Sequence, residues 1–160
     1  MSTLENELDA LLARYYERFG AMDFAGTRDC WDTADPQPTY LAEEIDDFLH
    51  GWPAIDAYWK ASQAAMSKLS SRHWGLRARV INDELATATW RIHWNAQVIG
   101  QAKPVGGDVR VTGIFRRKRE GWRLFHYVEA PLAPIIYVRK LYEGQVDAAF
   151  LAAPAAAPRG

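Results

Sequence analysis

The sequence is short of cysteine, of long apolar stretches and of net charge, and each shortage removes a class of protein. Its 160 residues include a single cysteine, Cys30, which has no partner for an internal disulfide or a zinc knuckle. No apolar stretch reaches the roughly 18 residues of a membrane span, and the acidic start of the chain does not resemble a signal peptide. The formal net charge is -1, with basic residues spread along the chain, so no footprint for nucleic acid or an anionic membrane is present. We therefore expect a cytoplasmic protein without nucleic-acid or membrane partners.

Sequence motifs for metals and cofactors are missing too. No spacing of histidines and carboxylates suits a metal ion. A nucleophile elbow, a phosphate loop and a dinucleotide fingerprint are all lacking. The expectation is a protein that works without a metal or a cofactor.

What the chain does contain favours one compact domain. Hydrophobic residues make up 49% of it, and a chain of this length buries roughly two thirds of its unfolded surface. We expect one domain over residues 1–151, ending in a helix over residues 134–151 that packs on the outside. The Ala/Pro segment at residues 152–160 has little to pack and is expected to form a mobile tail.

The first half of the chain shows helical periodicity. Apolar residues recur at three- and four-residue steps from Leu4 to Phe19, which predicts an amphipathic helix. Asp23 is a good N-cap for a short second helix. A third helix is predicted from Pro53 to about Leu69.

The second half alternates apolar and polar residues instead, most clearly from Glu84 to Val98. The period of two is typical of a half-buried strand, and the segment is two to three times longer than the usual strand of about five or six residues. Such a strand predicts a bent sheet that wraps around the helices and leaves a hollow. The apolar parity of this segment consists of Ala86, Ala88, Trp90, Ile92, Trp94, Ala96 and Val98. Further strands are predicted at 39–45, 72–81, 108–118 and 122–130.

Two short segments and a tyrosine pair carry a resemblance to a known family. The sequences GWPAIDAYW at 51–59 and GWRLFHY at 121–127, with paired aromatics near the end of the first helix, are similar to the SnoaL-like branch of the nuclear transport factor 2-like (NTF2-like) superfamily. The similarity covers roughly residues 4–130. It implies an α+β cone in which a bent, mostly antiparallel sheet wraps three helices, and pairing of two copies through the outside of the sheet. Because the superfamily includes isomerases, dehydratases, hydrolases, cyclases, accessory subunits and transport adaptors, the resemblance does not specify a reaction.

His126 is the first candidate catalytic residue. It shares a parity with Trp122 and Leu124, so it is expected to point into the cone, where related proteins often place a polar residue. An imidazole there can move a proton near neutral pH; the alternative is a core histidine with one hydrogen bond. Several SnoaL-like proteins carry further polar residues two and four positions later, whereas this chain has Val128 and Ala130, which favours a mainly apolar pocket.

Glu43 and Glu44 are the second candidates. The resemblance implies a carboxylate in this strand, because ketosteroid isomerases of the superfamily place their catalytic carboxylate there. Burial would raise the pKa of such a group and suit it to acid or base work. Adjacent strand residues face opposite ways, so one of the two is expected inside, and the sequence leaves open which one. The alternative is a solvated acidic strand end.

Tyr15 and Tyr16 are the third pair. Ketosteroid isomerases use a tyrosine of this helix to donate a hydrogen bond to the substrate oxygen, so the resemblance implies an oxyanion donor here. Ordinary core packing is the alternative.

Large apolar residues are expected to line the pocket and to suit a small hydrophobic or aromatic ligand. They could equally fill the cone. The predicted lining consists of Trp52, Trp59, Trp90, Trp94, Trp122, Leu124 and Val128.

Three functions remain open at this stage. The first is a cofactor-independent lyase or isomerase that moves a proton on a hydrophobic or aromatic carbonyl compound. The second is a non-catalytic binding protein for such a ligand, and the third is an accessory or assembly subunit of a larger enzyme. We also expect a homodimer through the polar face of the sheet, which carries Arg91, His93, Asn95 and Gln97.

Overall fold

This computed structural model describes residues 2–132 together with 143, 146 and 148, and residues 2–132 contain three helices and a six-stranded sheet. The helices are α1 (Thr3–Gly20), α2 (Phe24–Arg28) and α3 (Trp52–Ala65). The strands are β1 (Thr39–Leu41), β2 (Leu49–His50), β3 (Met66–Val80), β4 (Leu85–Val98), β5 (Val105–Lys118) and β6 (Gly121–Pro131). The predicted helix at 134–151, apart from three isolated residues, and the tail at 152–160 lie outside the described residues.

The sheet has the order β2-β1-β6-β5-β4-β3. Strands β3 to β6 form an antiparallel meander, and β1 joins its edge parallel to β6. Helix α1 packs on the inner face of the sheet through an apolar stripe. This stripe consists of Leu8, Leu11, Leu12, Tyr15 and Tyr16, all of them buried. The predicted α+β class with a mostly antiparallel sheet is confirmed.

Local sequence signals explain where the helices begin. Ser2 and Glu5 form a capping box at the start of α1: the Glu5 N–H donates to Ser2 Oγ at 3.2 Å, and the Ser2 N–H donates to Glu5 Oε2 at 3.0 Å. Asp23 caps α2 by accepting a hydrogen bond from the Gly26 N–H at 2.9 Å. Pro53 lies in the first turn of α3, where its missing N–H costs nothing.

The alternation in β4 confirms the predicted inner face. Ala86, Ala88, Trp90 and Ile92 are all buried. The Trp90 ring lies directly on β5, because a Cβ atom at Gly113 would come within 2.7 Å of Trp90 Cη2. Glycine at this position therefore gives the indole its place in the core.

Two predicted boundaries are wrong. Helix α3 ends at Ala65, and Leu69 belongs to β3, because this segment pairs with the end of β4 at Leu69 and Ala96. Sheet pairing thus overrides the helical spacing of the apolar residues. Strand β1 ends at Leu41, so Glu43 and Glu44 lie in a turn after it rather than inside a strand.

Candidate active site

A cavity of about 230 Å³ lies between α1, α3 and the inner face of the sheet. A cavity of about 150 Å³ is enough to hold benzene, so this one has room for a small ring compound. Six aromatic residues contribute to its wall: Tyr16, Phe19, Tyr40, Tyr58, Trp94 and Tyr127. The rest of the lining is aliphatic, apart from the polar residues Glu43, Glu44, Ser62, Ser71 and Glu129.

Glu129, near the end of β6, is the carboxylate most strongly changed by this setting. Its Oε1 accepts a hydrogen bond from the Tyr127 hydroxyl at 2.5 Å, and its Oε2 accepts one from the Glu43 N–H at 3.1 Å. Burial raises the pKa of Glu129 to about 7; the two hydrogen bonds oppose the rise, and the charges of Glu44 and Glu43 add to it. A carboxyl group with this pKa exchanges its proton readily at neutral pH.

A chain of hydrogen bonds connects Glu129 to the core. The Trp90 indole N–H donates to the Tyr16 hydroxyl at 2.7 Å, and the Tyr16 and Tyr127 hydroxyls are 3.2 Å apart. Because Tyr127 donates its only hydroxyl proton to an ionised Glu129, it must accept one from Tyr16. Burial raises the pKa of both tyrosines above the ordinary value, so both stay protonated at neutral pH.

Two further carboxylates, those of Glu43 and Glu44, lie beside Glu129 in the turn after β1. Glu43 accepts a hydrogen bond from the Trp94 indole N–H at 2.5 Å, and Glu44 accepts one from the Tyr58 hydroxyl. Burial raises the pKa of Glu43, with a smaller opposing effect from Trp94 and a further rise from Glu44. The sequence left open which glutamate faces inward; both line the cavity, because they lie in a turn and not in a strand.

The structure brings together four of the candidates from the sequence: Tyr16, Glu43, Glu44 and Trp94 all line the cavity. Tyr15 does not line it. Its ring is buried in the core, stacked on Phe19 with the ring centroids 5.9 Å apart.

The expected inward position of His126 is wrong. Strand β6 contains a bulge at Phe125: Phe115 of β5 pairs with Leu124, and the preceding Ile114 pairs with His126. One extra residue reverses the alternation of side chains beyond it. His126 therefore faces the outer side of the sheet, where burial and the neighbouring His50 lower its pKa.

Because of the same bulge, the residues that line the cavity differ from those predicted. Val128 shares the outer parity with His126 and is replaced in the lining by Tyr127 and Glu129. Trp122 and Leu124 precede the bulge, point inward and are buried in the core rather than in the lining.

The remaining predicted tryptophans fill the cone. Trp90 lies in the core behind the cavity wall, where its N–H reaches Tyr16. Trp52 and Trp59 pack against Trp31, with ring centroids 5.9 and 6.1 Å away respectively. Trp90 and Trp59 are therefore buried in the core, Trp52 is a partly buried residue packed against it, and none of the three lines the cavity.

Sequence reasoning missed Glu129, Tyr127, Tyr40 and Tyr58. A signal for the first two was present: Leu124 and Phe125 are adjacent large apolar residues, which interrupts the alternation of β6. An interruption of this kind is compatible with a bulge.

No group of three or more residues suited to hold a metal ion occurs among residues 2–132 and the three further residues that are described. In the same part of the chain, no helix is both long and apolar enough to cross a membrane.

Comparison with known proteins agrees with this architecture. A family model of the SnoaL-like domain matches residues 8–134, and the chain therefore belongs to this family. No protein with a curated description matches it.

Solved structures similar to this one share its fold at low sequence identity. A proposed dehydratase of the NTF2-like family from Streptomyces avermitilis superposes with a TM-score of 0.70 at 19% identity, over 82% of this chain and 98% of the other. An NTF2-like superfamily protein from Salmonella enterica gives 0.72 at 15% identity, over 82% and 93%. A proposed scytalone dehydratase from Novosphingobium aromaticivorans gives 0.71 at 5% identity, over 80% and 83%. At these identities the likeness shows the fold alone.

Proposed function

We propose that this protein binds a small hydrophobic carbonyl compound and moves a proton on it without a cofactor, as an isomerase or a dehydratase. The observation that carries the proposal is the half-buried Glu129, whose pKa of about 7 suits a general base, in the wall of an apolar cavity. The similar structures described as proposed dehydratases support the same class of reaction by analogy.

In the proposed reaction, ionised Glu129 removes a proton from the carbon next to the carbonyl group. The C–H electrons form a carbon–carbon double bond, and the carbonyl oxygen becomes an enolate oxygen. In an isomerisation of a β,γ-unsaturated ketone, the carbonyl group re-forms, the double bond shifts to the α- and β-carbons, and Glu129 returns the proton to the γ-carbon. In a dehydration, the carbonyl group re-forms and the double bond moves to the α- and β-carbons as the β-hydroxyl leaves as water, protonated by a neighbouring carboxyl group.

The hydrogen-bond chain supports this step. Tyr127 donates to Glu129 at 2.5 Å, and this hydrogen bond is strongest while the carboxylate is ionised. Protonation of Glu129 weakens this bond, so the proposed enolate oxygen competes better for the Tyr127 and Tyr16 hydroxyls. Uptake of the proton and stabilisation of the new negative charge are thereby coupled.

The experiment is hydrogen exchange on a ketone probe, 2-tetralone, in deuterated buffer, followed as the loss of the α-proton signals by NMR. We expect the protein to accelerate exchange and Glu129→Gln to reduce the acceleration by about a hundred- to ten-thousand-fold. Glu84→Gln is the matched control, since Glu84 is exposed at the turn between β3 and β4. Exchange by Glu129→Gln at the rate of Glu84→Gln would refute Glu129 as the base.

A non-catalytic binding protein is the second candidate, favoured by the mainly apolar lining of the cavity. Saturable binding of 2-tetralone without any acceleration of exchange would support it over catalysis.

We also propose that the protein acts in the cytoplasm as a homodimer paired through the outer face of β4. Arg91 and Asn95 are exposed on this face, and the His93 Nδ1 atom lies 2.7 Å from Asp108 Oδ1 of the next strand. Static light scattering measures the mass directly, and a particle of 18.1 kDa at micromolar concentration would contradict the dimer.

A further inference from the structure

The charge of the cavity lining restricts the ligand beyond what the proposed reaction requires. Three glutamates, Glu43, Glu44 and Glu129, line the cavity, and no lysine, arginine or histidine of the described residues does so. An anionic ligand would find no counter-charge in this wall. Its carboxylate or phosphate would instead meet carboxyl groups that already repel one another, since Glu43 and Glu44 both raise the pKa of Glu129.

The aromatic part of the wall has the complementary property. The faces of tyrosine and tryptophan rings attract cations, most strongly where water is excluded. The described contacts between arginines and rings involve Trp52, Trp74, Trp122 and Phe125, none of which lines the cavity. The rings around the cavity are therefore not engaged by a cation of the protein in any of these contacts.

We propose that the cavity selects a ligand with a positively charged nitrogen, such as a protonated amine on an apolar ring, over neutral and anionic ligands of the same shape. The proposal rests on the ligand-binding part of the proposed function, because it names the ligand class of the same cavity. An ammonium group between aromatic faces and carboxylates gains both the ring attraction and charge-assisted hydrogen bonds.

The affinity for such a ligand depends on pH through Glu129. The titratable groups around this carboxyl group come from every element packed on it: Tyr15 and Tyr16 from α1, Tyr40 from β1, Glu43 and Glu44 from the following turn, Tyr58 from α3, and Tyr127 from β6. Burial keeps the pKa of each of these tyrosines above its ordinary value, whereas the pKa of Glu129 is about 7, so its ionisation changes the charge of the cavity near neutral pH. An amine that requires ionised Glu129 binds about tenfold more tightly at pH 8 than at pH 6.

Three probes that share a phenyl ring but differ in charge test the proposal: the cation 2-phenylethylamine, neutral 2-phenylethanol and the anion phenylacetate. Their affinities are measured by isothermal titration calorimetry at pH 6 and pH 8. At pH 8 we expect the amine to bind at least about tenfold more tightly than the alcohol, and phenylacetate to bind least. In Glu129→Gln the amine should lose its pH dependence and most of its preference over the alcohol. The control Glu84→Gln should behave as the unaltered protein.

Equal affinities of amine and alcohol, tighter binding of phenylacetate, or no saturable amine binding at millimolar concentration would each overturn the proposal. The measurement needs no turnover, so it separates the two proposals. Amine preference without ketone exchange would refute the proposed reaction and leave this inference standing. Ketone exchange without amine preference would refute only this inference.

Discussion

The two halves of β6 on either side of Phe125 differ in what they contribute to the protein. In the first half, Trp122 and Leu124 point inward and belong to the hydrophobic core. In the second half, Tyr127 and Glu129 point inward and form part of the cavity wall. The bulge between the halves changes which parity of the strand faces the helices. A single extra residue thus lets one strand serve both the core and the site.

Deletion of Phe125 is the most direct way to break this difference. Regular pairing beyond Leu124 would turn Tyr127 and Glu129 outward and bring His126 and Val128 into the cone. We expect loss of ligand binding together with a destabilisation of at least about 3 kcal/mol, because the buried Tyr127 leaves the core. Urea denaturation measures the loss of stability, and calorimetry with 2-phenylethylamine and 2-phenylethanol measures the loss of binding. Wild-type binding by the deletion variant would show that the bulge does not set the position of the site.

The stability of the protein should fall between about pH 4.5 and pH 7 because of Glu129. The folded protein holds this proton up to a pKa of about 7, whereas the unfolded chain releases it near the ordinary glutamate pKa of 4.5. The unfolded state thus binds fewer protons in this window, so the free energy of unfolding decreases as the pH rises, by up to about 3 kcal/mol.

Urea denaturation at several pH values checks this dependence. Glu129→Gln should remove this part of the slope, and Glu84→Gln should retain it. An unchanged slope in Glu129→Gln would assign the dependence to other groups.

Tyr127→Phe tests the hydrogen bond inside the second half of β6. The substitution keeps the ring but removes the donor to Glu129 and the partner of Tyr16. We expect a loss of about 1–3 kcal/mol in stability, because buried polar groups lose their partners. The pKa of Glu129 should rise further, so the basic form should appear at higher pH in a pH–rate profile of ketone exchange. A profile that stays in place would exclude Tyr127 as a stabiliser of the carboxylate.

His126→Gln should have the smallest effect. The side chain lies on the outer parity and does not line the cavity. We expect a change in stability within about 0.5 kcal/mol and unchanged exchange of 2-tetralone. Loss of exchange in a folded His126→Gln variant would restore the catalytic role that the sequence suggested.

The fold was predictable from the sequence because its signals are local and repeated. Alternation over the length of β4 indicated its inner face, and the helical spacing of Leu8, Leu11 and Leu12 indicated α1. The site was predictable only in part. Tyr16, Glu43 and Glu44 were named through resemblance to related proteins, which transfers positions along the chain.

Glu129 escaped because its orientation depends on a pairing between β5 and β6 that parity counted along one strand cannot reveal. The place of Tyr58 in the site also depends on tertiary packing. It reaches Glu44 only because α3 lies beside the turn after β1. Neither contact has a counterpart in the spacing of residues along the sequence.

The close fit of Trp90 on Gly113 makes the chemistry of the cavity sensitive to a position that does not line it. The methyl group of an alanine at residue 113 would collide with the indole, since this Cβ atom would lie 2.7 Å from Trp90 Cη2. The displaced ring would withdraw its N–H from Tyr16, and the disturbance would pass through two phenols to Glu129. Natural variation at this one backbone position could therefore retune the acidity of the site while every residue that touches the ligand stays the same.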